Sequence, residues 1–243
     1  MDYNLLMITV EIVITAILSV EVYKLHCLSK SGAFASLVVG VLLAIFGSVN
    51  AYFIMTFFVI VSFFATMKDI DKKIEMGFQE GQFGERGWKN VSAVAFPPIL
   101  FTMLHYFGVI DYGLYMIMFL TSVVVAASDT VASEIGVKDP KTYLITTLKP
   151  VPAGTNGGVS KRGTIVSIIA ALATAVIGWI AMNANISVYV LVPFLFGVFG
   201  NLLDSVFGTL LEDRGYISKF TNNWSTELIA GLLAGGVWLL ILG

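Results

Sequence analysis

The stretch YGLYMIMFLTSVVVAASDTVAS, residues 112–133, decides the fold class of this chain. Its first sixteen residues, up to Ala127, contain no charged side chain. An α-helix needs about 20 mostly apolar residues to cross the hydrocarbon core of a bilayer. The stretch therefore predicts a transmembrane helix, and this helix carries one carboxylate, Asp129, near its end.

Seven further apolar runs occur along the chain, so the sequence predicts eight transmembrane helices. The predicted spans are 4–24, 32–48, 51–67, 91–109, 112–133, 164–182, 187–210 and 225–242. The second and third are short and are separated only by residues 47–50, so a single re-entrant hairpin is the alternative there. The expected architecture is an all-α polytopic membrane protein with a single integral-membrane domain over residues 1–243.

The composition excludes the main soluble classes. Hydrophobic residues make up 57% of the 243 positions and charged residues 12%, which is half of the roughly 25% in a typical soluble domain. Such hydrophobicity also excludes disorder. The net charge of −2 offers no basic face for nucleic acid. Cys27 is the only cysteine, which excludes an internal disulfide and a cysteine-based zinc site.

The basic residues predict the topology. All 14 lie in alternate loops, after the first, third, fifth and seventh predicted helices. Positively charged loops stay in the cytoplasm, so both termini are expected outside.

A short internal similarity suggests a duplication. The motif Ser-Lys-x-Gly begins at Ser29 and again at Ser160, each time before an apolar run. Halves covering 1–110 and 111–243 each hold four predicted helices, which gives a parallel 4+4 repeat.

Four acids lie in or beside the predicted spans, near the cytoplasmic ends: Asp129, Glu134, Asp204 and Glu227. The first three are the candidates for a site. Ionisable residues in spans are costly and mark functional sites. Three carboxylates at one membrane depth repel one another unless a cation lies between them, and oxygen ligands suit Mg²⁺. We therefore predict that they hold one or two Mg²⁺ ions.

The alternative is that each acid is an ordinary helix-end carboxylate in contact with water. That interpretation is favoured for Glu227, at the start of the last predicted span, where a negative charge suits the helix dipole. Five residues turn a helix by about 140°. Asp129 and Glu134 are therefore expected to face one site only if the helix unwinds near residues 133–136.

The loop after the fifth predicted helix has the composition of a phosphate-binding site. Its glycines allow successive N–H groups to form an anion-binding nest, and a helix N-terminus, which attracts phosphate, follows at once. The candidate phosphate-binding residues are Gly154, Thr155, Asn156, Gly157, Gly158, Ser160 and Lys161. The alternative is a flexible connector that carries basic residues, including Lys149.

Two motifs together carry a resemblance to a known family. They are Ser128-Asp129-Thr130-x-Ala132-Ser133-Glu134-Ile135-Gly136 and Lys149-Pro150-Val151-Pro152-x-Gly154-Thr155-Asn156-Gly157-Gly158-Val159-Ser160. This pattern resembles the integral-membrane family that includes plant phytyl-phosphate kinase and a group of uncharacterised transmembrane proteins. The element Asp204-Ser205-x-x-Gly208 and the pair Asn222-Asn223 fit the same family. The family is distantly similar to polyprenol kinases and CTP-dependent lipid cytidylyltransferases.

The resemblance implies a nucleotide-dependent kinase that faces the cytoplasm. Its substrate would be an isoprenoid alcohol monophosphate, such as phytyl or geranylgeranyl phosphate, converted to the diphosphate with CTP or ATP and Mg²⁺. Lys149 would neutralise the transferring charge beside the metal-binding acids. The nucleotide would contact the glycine loop together with Asn201, Ser205, Asn222 and Asn223. The alternatives are a CTP-dependent lipid cytidylyltransferase and a membrane transporter or flippase.

Overall fold

The computed structural model describes residues 3–79 and 81–242. This part of the chain contains nine α-helices and three short β-strands. The helices are α1 (Tyr3–Lys24), α2 (Lys30–Phe46), α3 (Val49–Met67), α4 (Ile70–Glu75), α5 (Trp88–Tyr106), α6 (Tyr112–Gly136), α7 (Lys161–Asn183), α8 (Leu191–Phe207) and α9 (Lys219–Leu242). A 3-10 turn (Val188–Val190) precedes α8, and a π turn (Gly208–Glu212) follows it. Apart from the short α4, the helices correspond to the eight predicted apolar runs.

Among the described residues, six helices are long and apolar enough to cross a membrane: α1, α3, α6, α7, α8 with its flanking turns, and α9. Helix α2, with 17 residues, is shorter, and α5, which contains Pro97 and Pro98, is not among the six. The chain is therefore an all-α polytopic membrane protein, as the sequence predicts. The total of eight spans and the outside position of the termini stay predictions.

Helix α6 is the centre of the bundle. Every residue from Tyr115 to Ser128 is buried. The helix packs against α3, α5, α7, α8 and α9, and a helix that is apolar on all sides needs such a surround. The stretch that decides the fold class therefore also forms the core of the fold.

The repeated Ser-Lys-x-Gly motif forms the same helix start twice. Ser29 Oγ accepts a hydrogen bond from the N–H of Gly32 at 3.2 Å, and Ser160 Oγ accepts one from the N–H of Gly163 at 3.0 Å. Such capping satisfies an N–H group that has no partner inside the helix. Beyond the caps the surroundings differ, because α2 packs against α1 and α5 whereas α7 packs against α3, α6 and α8. The 4+4 repeat stays a prediction.

A short non-helical link separates α2 from α3, and Ser48 in this link caps the start of α3. Ser48 Oγ accepts a hydrogen bond from the N–H of Ala51 at 3.2 Å, which starts α3. Helix α3 then packs against α6 and α7, away from the main partners of α2. This packing favours two separate helices over a single re-entrant hairpin.

A small antiparallel sheet lies in the loop between α6 and α7. Its strands are β1 (Thr142–Leu144), β2 (Pro150–Val151) and β3 (Gly158–Ser160), in the order β2-β1-β3. Thr142 pairs with Val151 on one side and with Ser160 on the other. The sequence analysis treats this segment as a loop, and strands of two or three residues are too short to show an alternating pattern.

Five helices bring one end each to the same place. The C-terminal parts of α6 and α8 meet the N-terminal parts of α5, α7 and α9 around one cavity, beside the small sheet. Successive helices from α5 to α9 therefore run in alternating directions. This alternation agrees with loops that alternate between the two sides of a membrane.

Gly200 on α8 lies where this helix crosses α6 and α9. A Cβ at this position would lie 2.9 Å from Val125 Cγ1 and 3.1 Å from the Cβ of Ala230. Gly236, on α9, has no such neighbour within 4 Å.

We predict that Gly200→Ala lowers the free energy of unfolding by about 1–3 kcal/mol, because an overpacked crossing forces its neighbours to shift. The matched change Gly236→Ala should raise that free energy by up to about 1 kcal/mol, because alanine favours the helix and no neighbour is displaced. Thermal unfolding of both variants in the same detergent measures the difference. Equal melting temperatures would contradict the packing described for α8.

Candidate functional site

A cavity of about 560 Å³ lies among the converging helix ends, and we call it the polar cavity. Carboxylates, hydroxyls, amides and backbone groups form much of its wall. Twelve of the predicted site residues line it: Asp129, Glu134, Gly154, Thr155, Asn156, Gly157, Gly158, Ser160, Asn201, Asp204, Ser205 and Asn223. Residues from four separate parts of the sequence are thus brought together as one site.

Three carboxylates and one ammonium group dominate the charge of the polar cavity. Asp129 and Glu212 are close enough to Asp204 to repel its carboxylate, and Lys219 is close enough to attract it. These interactions are stronger in a protein interior than in water because the dielectric constant is lower. Lys219 therefore offsets part of the negative charge of these three carboxylates.

Lys219 and Glu212 line the polar cavity but are not among the site residues predicted from the sequence. Lys219, Asn222 and Asn223 lie at positions i, i+3 and i+4 of one helix, and such spacing places side chains on one face. That spacing was a usable signal for Lys219. Glu212 belongs to the π turn, and its position depends on local geometry that hydropathy does not predict.

Glu227 differs from its prediction. It lies eight residues inside α9, which begins at Lys219, well before the apolar run. The side chain is only 2% exposed, and its Oε2 has no hydrogen-bond partner among the described residues. Its charge interacts with those of Asp129 and Asp204. The prediction of a helix-start carboxylate in contact with water is therefore wrong.

Glu134 is bound by two cations at the end of α6. Lys73 Nζ lies 2.6 Å from Oε2, and Arg86 Nη2 lies 2.7 Å from Oε1. The hydroxyl of Thr66 also donates to Oε1, at 3.1 Å. Lys73 is only 1% exposed and donates to the backbone carbonyl of Thr66 as well. We call Glu134, Lys73 and Arg86 the ion cluster.

The ion cluster argues against Glu134 as a metal ligand. Both of its carboxylate oxygens already accept hydrogen bonds from cationic side chains. Helix α6 also continues through Gly136 without unwinding, so the condition for Glu134 and Asp129 to face one point is not met. The side chain instead connects α6 to α4 through Lys73, to the end of α3 through Thr66 and to the segment before α5 through Arg86.

Asp129 and Asp204 could hold a metal ion only if a substrate supplied further ligands. Among the described residues, no three Asp, Glu, His or Cys side chains converge closely enough to hold a metal ion. Mg²⁺ in phosphate-binding sites is usually held by one or two carboxylates together with phosphate oxygens and water. Asp129 and Asp204 meet that requirement, since both line the polar cavity and their charges interact.

The glycine loop is packed against the end of α8. Gly157 has a φ of +68°, and a Cβ there would collide with Thr209 and lie 2.5 Å from the carbonyl oxygen of Ser205. Asn156 Nδ2 donates to Asp213 Oδ1 at 3.1 Å. These contacts make the loop a fixed wall of the polar cavity and argue against a flexible connector.

Two backbone N–H groups at the N-terminus of α7 already have hydrogen-bond acceptors within the protein. Ser160 Oγ accepts from the N–H of Gly163, and Asp139 Oδ2 accepts from the N–H of Arg162 at 3.3 Å. Hydrogen bonds from the backbone N–H groups of Lys141 and Arg162 hold the pKa of Asp139 below its usual value. An anion in the cavity would therefore rely on the glycine loop more than on this helix end.

Three predicted site residues lie outside the lining of the polar cavity. Lys149 is exposed in the turn between β1 and β2, where its carbonyl accepts from the N–H of Leu144 at 2.9 Å. Lys161 is exposed at the first position of α7. Asn222 is buried, and its Nδ2 donates to the Asp204 carbonyl at 3.1 Å and to Glu212 Oε2 at 3.3 Å.

These positions change the expected source of positive charge. The turn that holds Lys149 carries it away from the cavity, so the structure gives no support to its predicted role. The basic residues of the described lining are Arg86 and Lys219. Asn222 supports the site indirectly, because it fixes the π turn against α8.

The fold and the polar cavity define a polytopic integral membrane protein with a charged chamber at one end of its helix bundle. The chain belongs to the family described as integral membrane protein DUF92, which matches over residues 13–232. The resemblance found from the motifs is thereby confirmed at the level of the family.

Several relatives are similar to this chain along much of its length. Uncharacterized membrane protein MJ0933 of Methanocaldococcus jannaschii is 31% identical over 98% of this chain and 95% of its own. Uncharacterized membrane protein sll0875 of Synechocystis sp. is 33% identical over 68% of this chain and 65% of its own. Protein VTE6, chloroplastic, of Arabidopsis thaliana is 32% identical over 81% of this chain and 60% of its own. The alignments thus span under two thirds of the last two proteins. No solved structure matches the chain.

We predict that Lys73→Met lowers the free energy of unfolding by about 3 kcal/mol, because it leaves Glu134 buried with one cation fewer. The neighbouring change Lys72→Met replaces an exposed lysine and should shift that free energy by no more than about 0.5 kcal/mol. Thermal unfolding in detergent compares the two variants. A Lys73→Met protein as stable as Lys72→Met would show that the ion cluster contributes nothing to the fold.

Proposed function

We propose that this protein is an isoprenyl-phosphate kinase. It transfers the terminal phosphoryl group of a nucleoside triphosphate, CTP or ATP, to an isoprenoid alcohol monophosphate. The observation that carries the proposal is the polar cavity, where a glycine loop, two aspartates and two basic side chains meet. Membership of the DUF92 family and the resemblance of its motifs to those of the phytyl-phosphate kinase family support the substrate class.

The proposed reaction needs no external base. An oxygen of the isoprenyl monophosphate attacks the terminal phosphorus of the nucleotide, and a new P–O–P linkage forms. The bond from that phosphorus to the bridging oxygen breaks, and the nucleoside diphosphate leaves with the electron pair. The attacking group is already an anion, so no proton has to be removed from it.

The chain's own groups supply positioning and positive potential. Phosphoryl transfer depends mainly on in-line placement and on stabilising the charge of the transferring group. The loop from Gly154 to Ser160 would hold the nucleotide phosphates, with Asn201, Ser205 and Asn223 on the facing walls. Lys219 and Arg86 would reduce the repulsion between the two phosphate groups.

Asp129 and Asp204 are the residues that would hold Mg²⁺. When bound, the ion would supply positive charge that stabilises the negative charge developing during phosphoryl transfer. Glu134 has no part in this proposal, because Lys73 and Arg86 already bind it.

The polar cavity is proposed to face the cytoplasm. The loops that flank it carry the basic residues, and positive loops are retained on that side. A nucleotide would then enter from the cytosol, while the lipid phosphate would arrive within the membrane.

We expect purified protein with Mg²⁺, a nucleoside triphosphate and geranylgeranyl phosphate to give the lipid diphosphate and a nucleoside diphosphate, as identified by mass spectrometry. Asp204→Asn should lower kcat about 100-fold, because one of the two carboxylates that would hold Mg²⁺ is lost. Asp71→Asn, on the exposed face of α4, is the matched control.

The products separate the proposal from its alternatives. Release of pyrophosphate with a nucleotide-linked lipid would instead indicate a cytidylyltransferase. A folded protein that neither binds nucleotide nor turns over any isoprenyl phosphate would contradict both enzymes and leave transport as the better explanation.

We also predict that Gly157→Ala lowers kcat/KM for the nucleotide by about tenfold or more, because the added methyl group pushes the loop away from α8. Gly215→Ala is the matched control, since Gly215 has a φ of +74° but no neighbour within 4 Å. Steady-state kinetics at saturating lipid compare them. Equal losses in both variants would show that backbone strain alone is responsible.

A further inference from the structure

A second cavity, of about 330 Å³, lies between α1, α2, α3 and α5, and we call it the apolar slot. Its walls are mostly aliphatic and aromatic, with Leu43, Met55, Phe58 and Phe63 among them. Its volume falls within the roughly 300–1,000 Å³ of small-molecule sites. The proposed reaction leaves this cavity without a role.

The apolar slot is elongated and reaches the protein surface. Along α3 it extends from Tyr52 to Thr66, which is about 21 Å at 1.5 Å per residue. Leu18 and Ile60, at its rim, are 39% and 47% exposed on membrane-spanning helices. An exposed apolar rim on such helices faces lipid chains, so a membrane-dissolved molecule has direct access.

The two ends of the apolar slot differ. At one end, Thr15 Oγ1 and the hydroxyl of Tyr52 form a hydrogen bond of 2.8 Å. At the other end the slot adjoins the polar cavity, and Arg86, Asn90 and Val94 line both cavities. A molecule with a long apolar chain and a charged head would fit across this junction.

Arg86 has an unused donor at the junction. Its Nη2 binds Glu134, but its Nε is buried and has no hydrogen-bond partner among the described residues. A buried donor without an acceptor is costly, and a phosphate oxygen is a strong acceptor for a guanidinium group.

The backbone of Arg86 is fixed at the same place. Its N–H donates to the carbonyl of Cys27 at 3.0 Å, and its carbonyl accepts from the N–H of Ser29 at 3.1 Å. The guanidinium group is therefore held at the mouth of the slot from both the backbone and the side-chain ends.

We infer that the apolar slot binds the isoprenyl tail of the acceptor lipid, with its phosphate at the junction beside Arg86. The slot is long enough for a single extended chain, and the hydrogen-bonded pair of Thr15 and Tyr52 at its far end would limit the length of chain that it accepts. This inference rests on the proposed kinase function and specifies where that enzyme holds its lipid.

Ser62→Phe tests the assignment by filling the slot. Ser62 lines it, and the hydroxyl is buried without a partner among the described residues, so the substitution breaks no hydrogen bond. We expect kcat/KM for geranylgeranyl phosphate to fall about tenfold or more, while that for dimethylallyl phosphate stays within about twofold. Val38→Phe, at a 43% exposed position of α2 outside the slot, should change neither value.

Photolabelling provides a second measurement that needs no turnover. Geranylgeranyl phosphate with a diazirine at the end of its tail would be irradiated with wild-type protein in bilayer nanodiscs, and the labelled peptides sequenced. Labels are expected in the parts of α1 and α3 that line the slot, near Met55 and Val59.

The outcomes separate the two proposals. A wild-type protein inactive on both lipids overturns the kinase proposal, and labels in the slot would then still support the binding site. An active wild type whose tail labels other helices overturns the slot assignment. The same conclusion follows if a folded Ser62→Phe keeps the wild-type preference for chain length.

Discussion

A buried ammonium group needs a carboxylate partner, and this requirement organises one end of the molecule. Lys73 on α4 is almost completely buried, and Glu134 binds both it and Arg86. An unpaired ion in such a setting costs several kcal/mol. The three side chains therefore hold together α4, the end of α6 and the segment before α5, and Lys73 also bonds to the end of α3. Through the backbone of Arg86, the link between α1 and α2 joins the same arrangement.

Helix α6 combines two tasks that are often separate. From Tyr115 to Ser128 it is the packing centre, and the next residue is Asp129, in the wall of the polar cavity. The packing of the core therefore also holds a site on this helix rigidly in place. The opposite wall is fixed differently, because Asn222 bonds to Glu212 in the π turn, and π turns occur frequently at functional sites.

Much of this arrangement could be predicted from the sequence because bilayer thickness fixes the length of spans. Asp129, Asp204 and the glycine loop all lie on the predicted cytoplasmic side of their helices, so their meeting follows from topology. The partners of Glu134 could not be predicted, since Lys73 and Arg86 lie 61 and 48 residues away and hydropathy says nothing about side-chain pairing. Lys149 points elsewhere because of a tight turn within a sheet whose strands are too short to recognise.

The two proposed substrates would reach the junction at Arg86 from two different phases, water and the bilayer. On one side lies a chamber that reaches exposed residues such as Asp213, and on the other a slot whose rim faces lipid chains. A nucleotide would reach the junction at its molar concentration in the cytosol. A lipid would reach it at its mole fraction in the bilayer, whatever the volume of water outside. Diluting the membrane with inert lipid would therefore slow such an enzyme, whereas diluting the whole suspension at saturating nucleotide would not.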